Sequence, residues 1–351
     1  MLDTSSSLMW REIHEQADAI EACLRENKGK IAEVVKLVRE REVTNVVFAA
    51  RGSSEHAAQV GRYVFETRAG MISTIAMPST VTCYGSSPNY AHTMVVGISQ
   101  SGGARDVYEV MKACVDDGGV CVSITNEPGS LMSGIGDVRM NNACGPELSV
   151  TAAKSYMTQL ALIVALAAEI SGDGDLASVL DDAPSIVRAA YDLEDQVRAV
   201  VPVYRNCSKM MIFGRGLLFG LAHETELKVQ ETSYFDARCY AASDYQHGPI
   251  ATAERFVPAL FLIADRQTDD SIVALLDRLH DERKIFATVV SNKPDVVAKG
   301  DQGILLPEEF DGLRAVFACA VVSQMFACLL SLSRGYDPDH PEGVSKHTVT
   351  I

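Results

Sequence analysis

Residues 46–58 read VVFAARGSSEHAA: a short continuous apolar run, a turn rich in glycine and hydroxyls, then the start of a helical pattern. A run that is apolar throughout, rather than alternating, fits a strand buried on both faces, as in a parallel sheet covered by helices. The same plan recurs downstream. Residues 94–98 run into Ser99-Gln100-Ser101-Gly102-Gly103 before a helix from about Arg105, and 120–125 run into the turn Asn126-Glu127-Pro128. Strands alternating with helices predict βαβ units and an α/β fold with doubly wound parallel sheets.

The second half of the chain repeats the first. Ile212-Phe213-Gly214-Arg215-Gly216 echoes Phe48-Ala49-Ala50-Arg51-Gly52, with Arg215 lying 164 residues after Arg51. What reads as the third strand of each half ends alike, in Asn126-Glu127-Pro128 and Asn292-Lys293-Pro294, 166 residues apart. Two echoes at nearly one offset predict an internal duplication. The expected organisation is an N-terminal helical arm (1–43, with helices over 8–24 and 30–41), a first α/β domain (44–190), a second (191–334) and an extended C-terminal tail (335–351). Two prolines and two glycines in RGYDPDHPEGVSKHTVTI argue against a helix in that tail.

The totals agree with two packed domains. At 351 residues the chain exceeds the usual size of one core, and 47% hydrophobic residues supply a sizeable interior. A formal charge of −15 argues against a nucleic-acid partner, which needs clustered Lys and Arg. The N-terminus MLDTSSSLMWREIHEQ shows no signal-peptide pattern. The apolar helical stretch 155–170, interrupted by Gln159 and ending at Glu169, reads as a buried core helix rather than a membrane span. Nine scattered cysteines without a C-x-x-C pair fit a reduced, cytoplasmic protein better than a disulfide framework or a zinc site.

The two halves differ where chemistry would lie. Gly52-Ser53-Ser54 and Ser99-Gln100-Ser101-Gly102-Gly103 both follow strands and precede helices. One such turn is explained by helix capping alone, but two at neighbouring strand ends present N–H groups, hydroxyls and helix dipoles to an anion. They form neither a P-loop nor a dinucleotide fingerprint, so a phosphorylated small molecule is expected rather than a nucleotide. The second half has Gly216-Leu217-Leu218 and Ala264-Asp265-Arg266-Gln267 instead, with an aspartate where the anion would sit. A division of labour follows, one half holding the phosphate and the other supplying acid–base groups.

Those groups fall in residues 222–249, AHETELKVQETSYFDARCYAASDYQHGP. On a helix, Glu224, Lys228 and Glu231 share one face at i, i+4 and i+7. Spacing alone is equally that of a solvated face with an ion pair worth about 0.3–0.5 kcal/mol. The position of the segment in the half without phosphate hydroxyls favours chemistry.

RGSSEHA with SQSGG, then GPELSVTAAKSYMTQL, ETELKVQETSY and QHGPIA, together resemble the double sugar-isomerase (SIS) family. They are similar to the isomerase half of glucosamine-6-phosphate synthase and to stand-alone SIS-type glucosamine-6-phosphate deaminases. The resemblance runs from about residue 30 to Ile351 and implies two flavodoxin-like SIS domains in tandem. It implies phosphate binding by Ser53, Ser54, Ser99 and Ser101 with Gln100 beside them, and a sugar contact from the Val150 backbone. By the same resemblance Glu231 moves a proton between C1 and C2, Lys228 stands beside it, Glu224 supports it, and His247 opens the sugar ring in a neighbouring subunit's site, so a homodimer is implied. Lys346, next to Ser345 in the tail, matches a lysine that contacts the open-chain sugar.

Two positions depart from the family: Ala104 replaces a usual Thr or Ser, and Ala153 stands before Lys154 where Thr is usual. A glutaminase domain has no counterpart here, Leu2 standing where its nucleophilic cysteine would begin it. The expectation is therefore deamination of glucosamine 6-phosphate to fructose 6-phosphate and ammonia, without metal or organic cofactor and without a membrane partner. His56, His223 and His347 adjoin the motifs and are expected to cap or pack. The alternatives are another amino or Amadori sugar phosphate, isomerisation without loss of nitrogen, and a non-catalytic sugar-phosphate regulator, fold alone being no warrant for function.

Overall fold

A computed structural model of the chain describes residues 3–346. The strands in chain order are β1 (Asn45–Ala49), β2 (Ile72–Ile75), β3 (Thr93–Ser99), β4 (Val120–Thr125), β5 (Val138–Asn141), β6 (Lys209–Gly214), β7 (Asp236–Ala241), β8 (Pro258–Ile263), β9 (Phe286–Ser291) and β10 (Gln302–Leu305). The principal helices are α1 (Leu8–His14), α2 (Gln16–Glu40), α3 (Ser53–Val64), α4 (Arg105–Asp116), α5 (Lys154–Ser171), α6 (Leu217–Ser233), α7 (Asp269–Arg278) and α8 (Leu313–Ser333). Every strand pairing is parallel. The two sheets run β2-β1-β3-β4-β5 and β7-β6-β8-β9-β10, the same order twice. This is the doubly wound, flavodoxin-like arrangement, and the duplication inferred from the echoes is present in the topology.

The chain divides into two compact units. The N-terminal unit comprises Asp18–Glu147, Lys154–Asp182 and, among the described residues, 345–346; the C-terminal unit comprises 3–17, Leu148–Ala153 and Ala183–Val344. Segment 1–43 is thus shared, α1 going with the C-terminal unit and nearly all of α2 with the N-terminal one. The two expected helices, 8–24 and 30–41, are placed differently: the break falls at Glu15, and α2 then runs unbroken through Gly29. A Cβ at Gly29 would meet nothing within 4 Å, and a helix tolerates an interior glycine at about 1 kcal/mol.

In the N-terminal unit β4 is buried at every residue and β3 at all but its last. Close packing of helix on sheet demands glycine in places: a Cβ on Gly97 of β3 would come within 2.2 Å of Met111 Sδ on α4. The strand taken as third in each half is the fourth in chain order, because β2 and β7 precede it. In the C-terminal unit Phe213 of β6 stacks on Phe261 of β8 with ring centroids 4.8 Å apart, at the centre of the apolar core. Helix α8 is longer and more apolar than the 155–170 stretch singled out from sequence. It meets the length and composition of a membrane span, but 94% of its most apolar window is buried inside the structure.

Candidate functional site

In the N-terminal unit β1 and β3 are neighbours, and the chain leaves β1 for β2 on one side and builds β3, β4 and β5 on the other. The two serine turns therefore sit at the carboxyl ends of adjacent strands at the point where strand order reverses, the usual ligand crevice of such sheets. Gly52, with φ 55° and ψ −134°, turns the chain from β1 into α3, which places Ser53 and Ser54 in the helix's first turn. Their position favours an anion through the positive end of the helix.

The second turn is held by its own bonds. Ser99 Oγ accepts the Gly102 N–H at 3.1 Å, Ser101 Oγ accepts the Gly103 N–H at 3.3 Å, and Gln100 O accepts the Asn126 N–H at 3.0 Å. Gly102 has φ +63°, and a Cβ there would fall 2.1 Å from Ser130 Oγ, so only glycine fits. Arg51 grips the buried Asp106 carboxylate at 2.7 Å, tying the start of α4 to the end of β1. Ala104 occupies the cap position of α4 with no side-chain bond, so the family's usual hydroxyl is missing there.

The equivalent place in the C-terminal unit is filled from within. Gly216, with φ 61° and ψ −131°, repeats the Gly52 turn at the start of α6. The Asp265 carboxylate accepts the Leu217 N–H at that helix start and the Gln267 N–H at 3.2 Å, and Asp265 is only 5% exposed. Burial pushes the Asp265 carboxyl above the usual carboxylate range, reinforced by Asp311 and Asp269. The Asp265 carboxylate thus takes up the N–H at this helix end that an outside anion would otherwise use.

Helix α6 carries Glu224, Lys228 and Glu231. Lys228 is fully buried, with Nζ 2.8 Å from Glu231 Oε2 and 3.4 Å from Glu224 Oε1. Glu224 is equally buried, whereas the Glu231 side chain is 20% exposed, so the cluster opens outward at Glu231. The i, i+4, i+7 spacing marks an inward face here, and the solvated reading of that spacing is excluded. The helix ends at Tyr234 in the left-handed conformation, whose hydroxyl accepts the Glu342 N–H at 2.7 Å. His247 lies apart on an exposed turn, its N–H bonded to Asp244 O at 3.0 Å.

Around Val150 the backbone is clamped from both sides. Its N–H donates to Asp339 O at 3.1 Å, while the buried Glu12 carboxylate accepts the N–H groups of Leu148 at 2.5 Å and Ser149 at 3.3 Å. In the N-terminal unit a polar cluster that was not read from sequence surrounds Glu147. Its carboxylate accepts the Ser155 N–H at 2.9 Å and the Ser155 hydroxyl at 2.7 Å, and lies 3.3 Å from Lys346 Nζ. Lys154 Nζ donates to Pro146 O at 2.9 Å. Glu147 thus fixes the tail lysine, while Ser345 is exposed and His347 lies outside the described residues.

The SIS domain model matches residues 41–169 and 203–334, so the chain belongs to the SIS domain family, as its motifs implied. Among curated relatives it is 28% identical over 355 residues to glutamine–fructose-6-phosphate aminotransferase (isomerizing) of Thermococcus kodakarensis, covering 98% of this chain and 58% of that protein. The chain therefore spans little more than half the length of that relative. Its fold is similar to the C-terminal domain of glucosamine-fructose-6-phosphate aminotransferase from Francisella tularensis (TM-score 0.82, 22% identity, covering 97% of this chain and 99% of that one). It is also similar to glucosamine-6-phosphate deaminase from Thermotoga maritima (TM-score 0.78, 20% identity, 98% and 100% covered).

Proposed function

We propose that the chain is an SIS-type phosphosugar enzyme that deaminates and isomerises glucosamine 6-phosphate to fructose 6-phosphate and ammonia. The observation that carries this reading is the buried Glu224–Lys228–Glu231 cluster, in which one carboxylate beside an ammonium is left open to a ligand. A carboxylate so placed suits proton transfer between adjacent carbons. Glu231 removes the C2 proton of the open-chain amino aldose and returns it to C1. The resulting C2 imine takes up water and releases ammonia, leaving the ketone. His247 acts as the ring-opening acid–base group, since an imidazole can both donate and accept a proton. Its exposed position fits the expectation that it serves a neighbouring copy in a homodimer. Lys346, held by Glu147, contacts the open chain, and the backbone at Val150 borders the sugar.

The serine turns, with Ser53, Ser54, Ser99, Gln100 and Ser101, hold the phosphate in this reading. Ser101→Ala is expected to raise the KM for the sugar phosphate about 10- to 100-fold with little change in kcat, a hydrogen bond to a charged group being worth about 1.5–3 kcal/mol. Steady-state kinetics checks this, and an unchanged KM would remove Ser101 from the site. The proposal as a whole is tested by incubating the purified protein with glucosamine 6-phosphate and assaying ammonia and fructose 6-phosphate together. Turnover of another amino or Amadori sugar phosphate instead would change the substrate but keep the class. Binding without turnover of any phosphosugar would overturn catalysis in favour of a regulator.

A further inference from the structure

Outside the cluster just described, α6 carries a second set of donors on a different face. His223 and Glu226 stand at i and i+3, and Gln230 continues that face one turn on. Gln230 Nε2 donates to Ala237 O at 3.0 Å, which lays this face against β7, the edge strand of its sheet. Cys239 lies two residues beyond Ala237 and so shares its side of the strand. His223 Nδ1 is 3.2 Å from Glu226 Oε2, and the imidazole nitrogen, the carboxylate oxygen and the Cys239 sulfur all lie within 4.8 Å of one another. No metal spacing was read among the histidines, because the third donor comes from the following strand rather than from the helix.

We propose that His223, Glu226 and Cys239 form a binding site for a divalent cation of the zinc class. One imidazole, one carboxylate and one thiolate are a donor set for zinc and similar borderline metals, whereas magnesium and calcium prefer oxygen alone. Tetrahedral zinc with bonds of about 2.0–2.3 Å sets its ligands roughly 3.3–3.8 Å apart. The His223–Glu226 pair, at 3.2 Å, stands close to the short end of that range, and small side-chain rotations have to bring in the sulfur. The His223 and Glu226 side chains are 27% and 22% exposed, giving an ion a way in and leaving a fourth position for water. Phe219, one turn earlier, meets the His223 ring edge to face at 4.6 Å and walls the site on its apolar side. Burial, and then Glu226, push the Cys239 thiol well above its ordinary range, so the free protein carries the proton. Binding breaks the S–H bond, forms the S–metal bond and passes the proton to solvent. Because His223 adjoins Glu224, an ion here braces the helix that bears Lys228 and Glu231, and zinc should raise the melting temperature by mass action.

The test is titration of chelator-treated full-length protein with Co2+, followed by displacement with Zn2+. One equivalent should bind with a thiolate-to-cobalt charge-transfer band and the visible absorption of a tetrahedral centre. Cys239→Ser should abolish the charge-transfer band, and His223→Ala, which leaves every thiol in place, should weaken Co2+ binding at least about tenfold. Absence of saturable binding, or a band that survives Cys239→Ser and moves with the exposed Cys83, would overturn the proposal. So would affinity unchanged in His223→Ala with the variant's melting curve intact.

Discussion

Glu231→Gln is expected to lower kcat for glucosamine 6-phosphate by about 10²- to 10⁴-fold while leaving substrate affinity close to that of the parent protein. The substitution keeps the size and shape of the side chain and removes only the base. Glu231 is the member of its cluster open to a ligand, at 20% side-chain exposure, while Glu224 and Lys228 are sealed in the interior. Lys228 at 2.8 Å places a positive charge beside the carboxylate. The kinetic split is what discriminates: a proton shuttle loses kcat, whereas a residue that merely holds the sugar loses KM. Binding measured by calorimetry alongside turnover separates the two, and retained kcat would remove Glu231 from the chemistry.

Lys228→Met is expected to destabilise the protein by about 3–5 kcal/mol, the range for removing one partner of a buried ion pair. Lys228 has no solvent exposure, and its loss leaves the buried Glu224 carboxylate and Glu231 without the cation between them. A unit of this size should then melt roughly 6–20 °C lower. The double variant Lys228→Met with Glu224→Leu should recover much of the loss, because the uncompensated charge rather than the missing contact dominates the cost. Thermal melts of the single and double variants measure this coupling. A single variant that melts within a degree or two of the parent would show that the cluster carries little of the fold's stability.

Much of the architecture could be read from sequence because parallel strands buried on both faces leave continuous apolar runs, and 46–50, 94–98 and 120–125 each lie within about a residue of an observed strand. The short edge strand β2 left no such run, since Ser73 and Thr74 interrupt it and Ile72 faces outward. The helix break at Glu15 was hidden for a different reason. It is fixed by distant partners, the Asp339 carboxylate accepting the Leu8 and Met9 N–H groups at 2.7 Å across more than 300 residues of chain. The serine turns and the α6 carboxylates were legible because residue type and spacing are local. Glu147 was not, because its meaning comes from Lys346, 199 residues later, and nothing near it in the chain announces that contact. Asp265 lies between these cases: its identity suggested a filled anion position, but the bond from Leu217 exists only once α6 is placed beside the β8 turn.

The most direct test is to incubate the protein with glucosamine 6-phosphate deuterated at C2 and follow the label by NMR. Proton transfer by Glu231 predicts that deuterium leaves C2 and appears at C1 of fructose 6-phosphate or in solvent, with ammonia released in step. Glu231→Gln should bind the same compound and keep its label. Deuterium retained at C2 by the parent protein, under conditions where the sugar phosphate is bound, would contradict the account.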